Sequence, residues 1–244
     1  MNPASQVKFI SNAFAGYTGR GVKVGIIDSG VNPAHPHVGG IAGGVRITAG
    51  DSNSSDDYLD YLGHGTAVAG AIREKAADAE LHAVKVFDRA LTTNIESIIK
   101  AIDWCIDNQI DVINLSLGTT NLDHREAIEA VVSRAVDKNV VIVAAREMSG
   151  KLSLPGCLFS VIGVAEDWDR DRDSYGMSIV DGNAVFIASA YPREIPGVPR
   201  ERNLNGTSFA VANMTGFVAR AGESAPDVSG NRIKGLLVEM PTNE

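Results

Sequence analysis

Apolar positions along the chain follow two rhythms. Short continuous runs rich in β-branched residues, Gly21–Asp28 (GVKVGIID), Glu80–Phe87 (ELHAVKVF), Asp111–Leu117 (DVINLSL), Val140–Ala145 (VVIVAA) and Ser160–Ala165 (SVIGVA), are predicted as buried strands. Between them lie stretches with a helical repeat. Over Thr93–Asn108 the stripe is Ile95, Ile98, Ile99, Ile102 and Ile106, opening at a Thr or Asn cap with Glu96 in the first turn. Over His124–Asn139 it is Ile128, Val131, Val132, Ala135 and Val136. The segment Ile72–Glu80 reads as uninterrupted helix. Buried strands joined by amphipathic helices predict an α/β fold, a mostly parallel β-sheet flanked by helices on both faces. No internal repeat and no linker breaks the pattern, so residues 1–244 are expected to form a single domain.

Two polar stretches are expected to be loops. Gly50–Tyr61 carries Asp51, Asp56, Asp57 and Asp60 and reads as a solvated acidic loop. Glu166–Asp173 interleaves carboxylates with arginines, which compensate one another; a calcium loop needs regularly spaced oxygens without intervening Arg.

Composition narrows the function. With 44% apolar residues and 25 glycines the chain can bury a large core, which excludes a disordered protein. Lys and Arg number 22 against 30 Asp and Glu, a net charge of −8, which argues against gripping nucleic acid or an anionic membrane. No apolar run approaches the ~18 residues that span a bilayer. The amino terminus lacks the basic segment, apolar core and cleavage site of a signal peptide, so a cytoplasmic location is expected, or a secreted one if a leader has been removed. Cys105 and Cys157 are too few for a disulfide framework and are expected to be reduced. His35-Pro36-His37 has no evident third ligand and reads as a polar turn.

Three segments each set one reactive side chain among small residues. Asp28 ends the first strand in Ile27-Asp28-Ser29-Gly30, at the end of a parallel strand where α/β proteins build sites. His64 stands in Gly63-His64-Gly65-Thr66-Ala67-Val68-Ala69-Gly70, whose glycines permit close backbone approach. Ser208 lies in Asn205-Gly206-Thr207-Ser208-Phe209-Ala210, at the start of a helix. Singly, the three read as a turn residue, a structural histidine and a cap. Together they are the residue types of nucleophilic acyl transfer: a serine that attacks, a histidine that takes and returns the proton, and a buried aspartate that holds the imidazole.

IIDSG, GHGTAVAG and NGTSFA resemble the three active-site motifs of the subtilisin-like serine peptidase family, in that family's Asp, His, Ser order. YTGRGVKVGIIDSGV, HAVKVF, DVINLSLG, VVIVAA and LPGCLFSVIGVA resemble its supporting segments, and the likeness is strongest over residues 17–216. The resemblance implies that Asp28, His64 and Ser208 form the catalytic triad. It also implies that a polypeptide substrate lies extended against Ser116-Leu117-Gly118, as one strand against another.

The chain departs from the family at four places. Where members usually read Ala-Ala-Gly-Asn, it reads Ala144-Ala145-Arg146-Glu147-Met148, so Met148 or Glu147 takes the position of the oxyanion asparagine. Neither offers a donor, and the N–H of Ser208, with Thr207 nearby, is left to support the oxyanion; loss of that donor in subtilisin costs about 100- to 1000-fold in turnover. Arg146 is expected to be exposed rather than folded inward as a replacement. The usual calcium loop before Glu80 is not evident, and no metal or other cofactor is expected. The stretch from Met148 to Pro155 is short, leaving Lys151, Leu152 and Ser153 to line the pocket for the side chain before the cut bond. Val211-Ala212-Asn213-Met214 replaces the common Ser-Pro-His-Val after the nucleophile.

The function expected is slow, selective cleavage of a dedicated peptide, as in peptide maturation, with steering that weakly favours basic peptides. Two rivals stand beside it: a catalytically impaired peptide-binding protein, partner to an active homologue, and a ligase or cyclase that passes the acyl group to an amine.

Overall fold

The structure is a computed structural model that describes residues 7–48, 57–226 and 230–240. Its elements run β1 (Lys8–Ser11), β2 (Lys23–Asp28), β3 (Gly43–Arg46), α1 (His64–Lys75), β4 (Glu80–Lys85), α2 (Ile95–Asp107) and β5 (Val112–Leu115). They continue with α3 (Arg125–Asp137), β6 (Val141–Ala145), β7 (Glu147–Met148), β8 (Lys151–Leu152), β9 (Ile162–Asp167), β10 (Ser174–Val180), β11 (Asn183–Ser189), α4 (Thr207–Ser224) and α5 (Gly230–Glu239). Nine strands form one sheet in the order β1-β10-β11-β9-β6-β5-β2-β4-β3. From β11 to β3 every pairing is parallel; β10 and β1 add antiparallel at one edge. This is the mostly parallel, helix-flanked α/β fold that the sequence predicts.

The five strands read from apolar runs form the contiguous centre of the sheet, because strands covered on both faces have no polar side to show. Their alternation sorts the core into two layers. Val24, Ile26, Val112, Val141 and Val143 pack with α1, α4 and α5, whereas Ile27, Ile113, Leu115, Ile142 and Ala144 pack with α2 and α3. The edge strands escape that reading. β3 is Gly-Gly-Val-Arg, with little β propensity, and gains its place by pairing with β4. β10 and β11 are joined at Asp181-Gly182, both with positive φ, a hairpin signal present in the sequence.

One helix is shorter than predicted. α1 ends at Lys75 instead of running to Glu80, since the chain must reverse to enter β4. Arg73 holds that turn, donating to Ala77 O at 2.8 Å and Ala79 O at 2.7 Å. The two cysteines are free, Cys105 buried inside α2. Among the described residues no helix is long and apolar enough to cross a membrane. Asp28 ends β2, Ser116 follows β5 and Arg146 follows β6, so the carboxyl ends of three neighbouring strands converge on one edge of the domain.

Candidate active site

Asp28 and His64 meet because two glycines let their backbones close in. Gly63 has φ 81°, and this left-handed turn launches α1 with His64 as its first residue. Gly65 lies so near that a Cβ there would collide with Gly30 O and crowd Asp28. His64 Nδ1 then stands 2.7 Å from Asp28 Oδ1. Asp28 is fully buried; Oδ1 also accepts from Ser29 N at 2.7 Å, while Oδ2 is buried without a partner. Burial by itself lowers the His64 pKa, but the hydrogen bond and charge of Asp28, joined by the charge of Asp60, outweigh it and raise the imidazole above its ordinary value. The His64 ring rests 5.5 Å from that of Phe209, the residue after Ser208.

Asp60 is the residue that sequence reasoning missed. Far from being a solvated loop carboxylate, it organises the turn before His64. Its Oδ1 accepts from Ser29 Oγ, Leu62 N and Gly63 N, each at 2.9 Å. Its Oδ2 accepts from Thr66 N at 2.9 Å and Thr66 Oγ1 at 2.6 Å. Ser29 Oγ in turn accepts from Gly65 N at 2.9 Å, and Thr66 Oγ1 from Asn32 N at 3.0 Å. One carboxylate thereby ties the end of β2 to the first turn of α1. No local signal marks it: a capping carboxylate stands immediately before its helix, a place that Gly63 holds here, and Asp60 lies four residues before His64. Asp57, its neighbour in the acidic stretch, pairs with Arg46 at 2.8 Å and Lys85 at 3.7 Å. Asp51 and Asp56 lie outside the described residues.

Ser208 is the second residue of α4, which follows Gly206 and has no side-chain cap. The first-turn N–H groups of Thr207 and Ser208 therefore lack intrahelical acceptors and carry the positive end of the helix dipole. Ser208 Oγ donates to Ser116 O at 3.3 Å rather than to His64, and Ser116 Oγ donates to Ser208 O at 3.4 Å. Behind them Asn114 Nδ2 donates to Ser116 Oγ at 2.8 Å and Thr215 Oγ1 to Asn114 Oδ1 at 3.0 Å, which locks α4 onto β5. Thr207 Oγ1 donates to Glu166 at 2.9 Å. Buried Asn213, in the divergent stretch after Ser208, donates to Ser189 O and Tyr191 O, each at 3.0 Å.

The remaining predicted residues fall into two groups. Ser116 and Gly118 are half-buried at the edge beside Ser208, while the side chain of Leu117 turns into the core. Thr119 and Leu154 exchange backbone hydrogen bonds of 3.0 and 2.8 Å, and Ser153 N donates to Arg146 O at 2.8 Å. This seats Ser153 between the two segments, fully buried against Gly118, its hydroxyl without a partner. Glu147 and Met148 pair with Leu152 and Lys151 in the β7–β8 hairpin, and all four side chains are exposed. Arg146, expected to be exposed, is buried, its Nε 3.9 Å from Glu147. The aliphatic stem follows the strand inward because its backbone still pairs, N to Val164 O at 2.9 Å. Among the described residues no three His, Cys, Asp or Glu side chains gather in a way that could hold a metal ion.

A family model described as the Subtilase family matches residues 19–164, a span that holds Asp28 and His64 and stops before Ser208. Subtilisin DY of Bacillus licheniformis is 31% identical over 248 residues, covering 93% of this chain and 86% of its own. An alkaline protease of Alkalihalobacillus alcalophilus is 32% identical over 245 residues, covering 93% of this chain and 61% of its own. Among solved structures, a cold-adapted subtilisin-like serine proteinase superposes with a TM-score of 0.75 at 24% identity, covering 94% of this chain and 85% of its own.

Proposed function

This chain belongs to the subtilase family, and on that premise we propose that it is a serine endopeptidase with Ser208 as nucleophile, His64 as general base and then acid, and Asp28 as the orienting carboxylate. The observation that carries the reading is the 2.7 Å contact of His64 Nδ1 with Asp28 Oδ1. It keeps the proton on Nδ1 and leaves Nε2 as the free base.

A polypeptide laid along Ser116–Gly118 would place its N–H on the Ser116 carbonyl. That carbonyl is the acceptor now holding Ser208 Oγ, so substrate binding releases the hydroxyl toward His64. Oγ then bonds to the carbonyl carbon as His64 takes its proton; the proton leaves with the amine, and water resolves the ester by the same path. The N–H of Ser208, at the uncapped start of α4, supports the oxyanion. Exposed Met148 and Glu147 supply no second donor, and Ser153 packed on Gly118 favours a small side chain before the cut bond, so cleavage is slow and selective for a dedicated substrate.

The same exposed hairpin favours a second reading, a subtilisin-like protein that holds a peptide strand without cutting it. Intact-mass analysis with a fluorophosphonate probe separates the two. One adduct on wild type, absent from Ser208→Ala and His64→Ala, is the expected result; no adduct on folded wild type supports the binding reading.

A further inference from the structure

A cleft of about 440 Å³ adjoins the turn that carries His64. Gly63, Thr66 and Ala67 form one wall, Asn203 and Leu204 shortly before Ser208 form another, and His35 and His37 close it. Its charge is net positive, two guanidiniums against one carboxylate among the described residues. Arg193 and Arg202 line it, and among the described residues neither forms an ion pair. Arg193 Nη1 donates to His37 O at 3.4 Å, which keeps the guanidinium on the wall beside the imidazoles. Among the described residues the lining holds a single carboxylate, Asp60, whose oxygens already accept from Ser29, Leu62, Gly63 and Thr66. Glu74, whose charge also reaches His37, is held by Arg172 at 2.7 Å and Lys75 at 3.3 Å. Burial first, then the charges of Arg193 and His35, lower the pKa of His37. In a chain of net charge −8, this cleft is a cationic exception.

We infer that this cleft receives a carboxylate from the part of the polypeptide that follows the cut bond, gripped by Arg193 and Arg202. The assignment of side rests on the peptidase reading: the imidazole hands its proton to the leaving amine, so the leaving part runs past His64. A guanidinium fork matches a carboxylate, and Pro192, Ile195 and Leu204 give apolar walls for the methylenes behind it. Substrate preference is therefore set against the net charge of the chain, by local groups that a whole-molecule field does not represent.

The test uses the Ser208→Ala protein, so that binding is read without turnover. Fluorescent random hexapeptide pools carry one Glu, one Gln or one Lys and an amidated terminus, with a further Gln pool ending in a free carboxylate. The Glu pool should bind about 3- to 10-fold tighter than the Gln pool, a margin that shrinks as salt rises. Arg202→Glu, at an exposed side chain, should turn the preference toward the Lys pool, and Arg193→Ala with Arg202→Ala should level the pools. Tighter binding by the free-carboxylate Gln pool alone supports a carboxylate site that takes a chain terminus in place of an acidic side chain. Equal binding of the Glu and Lys pools, or binding of none, overturns the inference. Failure of the fluorophosphonate to label wild type is a separate result, and it strikes the peptidase reading instead.

Discussion

Replacing Asp60 tests whether one carboxylate holds the Asp28–His64 pair in register. Asp60→Ala removes an acceptor of five hydrogen bonds. The donors at Leu62 N and Gly63 N are exposed, so water replaces Asp60 there at little net cost. The bonds from Ser29 Oγ, Thr66 N and Thr66 Oγ1 are partly buried, and hydrogen bonds to a charged partner contribute about 1.5–3 kcal/mol each when well shielded. Discounting by half or more for partial exposure and for hydroxyls that re-aim leaves a loss of about 2–4 kcal/mol. Asp60→Asn separates the two oxygens. It can keep a carbonyl toward Ser29 but sets an NH₂ against Thr66 N, so the loss should be about 1–2 kcal/mol with no cavity formed. Urea unfolding read by circular dichroism gives both values, and the transition should shift without a change in slope. Activity adds a readout that a merely structural role would not move. Because the charge of Asp60 helps to raise the His64 pKa, Asp60→Asn should move the acidic limb of the kcat/KM profile to lower pH. If both variants unfold within about 0.5 kcal/mol of wild type, the range of an ordinary surface change, and the limb stays in place, the reasoning is wrong.

Other outcomes follow from the same geometry. Asp28→Asn should lower kcat by about 10⁴-fold and move the acidic limb to lower pH, because burial then acts on His64 unopposed by its main partner; an unmoved limb in a pH–rate series counts against His64 as the base. Gly65→Ala drives a Cβ into Gly30 O and crowds Asp28, so it should destabilise by about 1–3 kcal/mol and sharply reduce fluorophosphonate labelling; full labelling at unchanged stability means that the backbones need not approach. Asn213→Leu strands the buried carbonyl of Ser189 and the partly buried carbonyl of Tyr191 and should cost about 1–3 kcal/mol in a thermal or urea melt, whereas an unchanged midpoint would show that α4 is anchored elsewhere.

The sequence determined the centre of the sheet and the local settings of Asp28, His64 and Ser208. Continuous apolar strands carry their burial in their own composition, and Asp28, His64 and Ser208 sit in motifs whose glycines and small residues record locally the close approach they need. Edge strands were less legible. β3 is strand only because β4 offers it hydrogen bonds, and a pairing partner is not written in a four-residue stretch. α1 stops early because the chain must turn back into β4, a constraint of topology that helix propensity does not register. The same holds for the site's supports. Nothing local distinguishes Asp60 from the other acids of its stretch; its role comes from Ser29 and Thr66 being brought to it by different elements. Arg146 is buried, Ser208 is held by Ser116, and two arginines distant from His64 in sequence share a cleft with its helix, all through contacts between separate segments. Periodicity and short motifs report what a residue needs from its chain neighbours, whereas hydrogen-bond partners and local charge balance are set by what the fold carries alongside, and only the tertiary structure decides that.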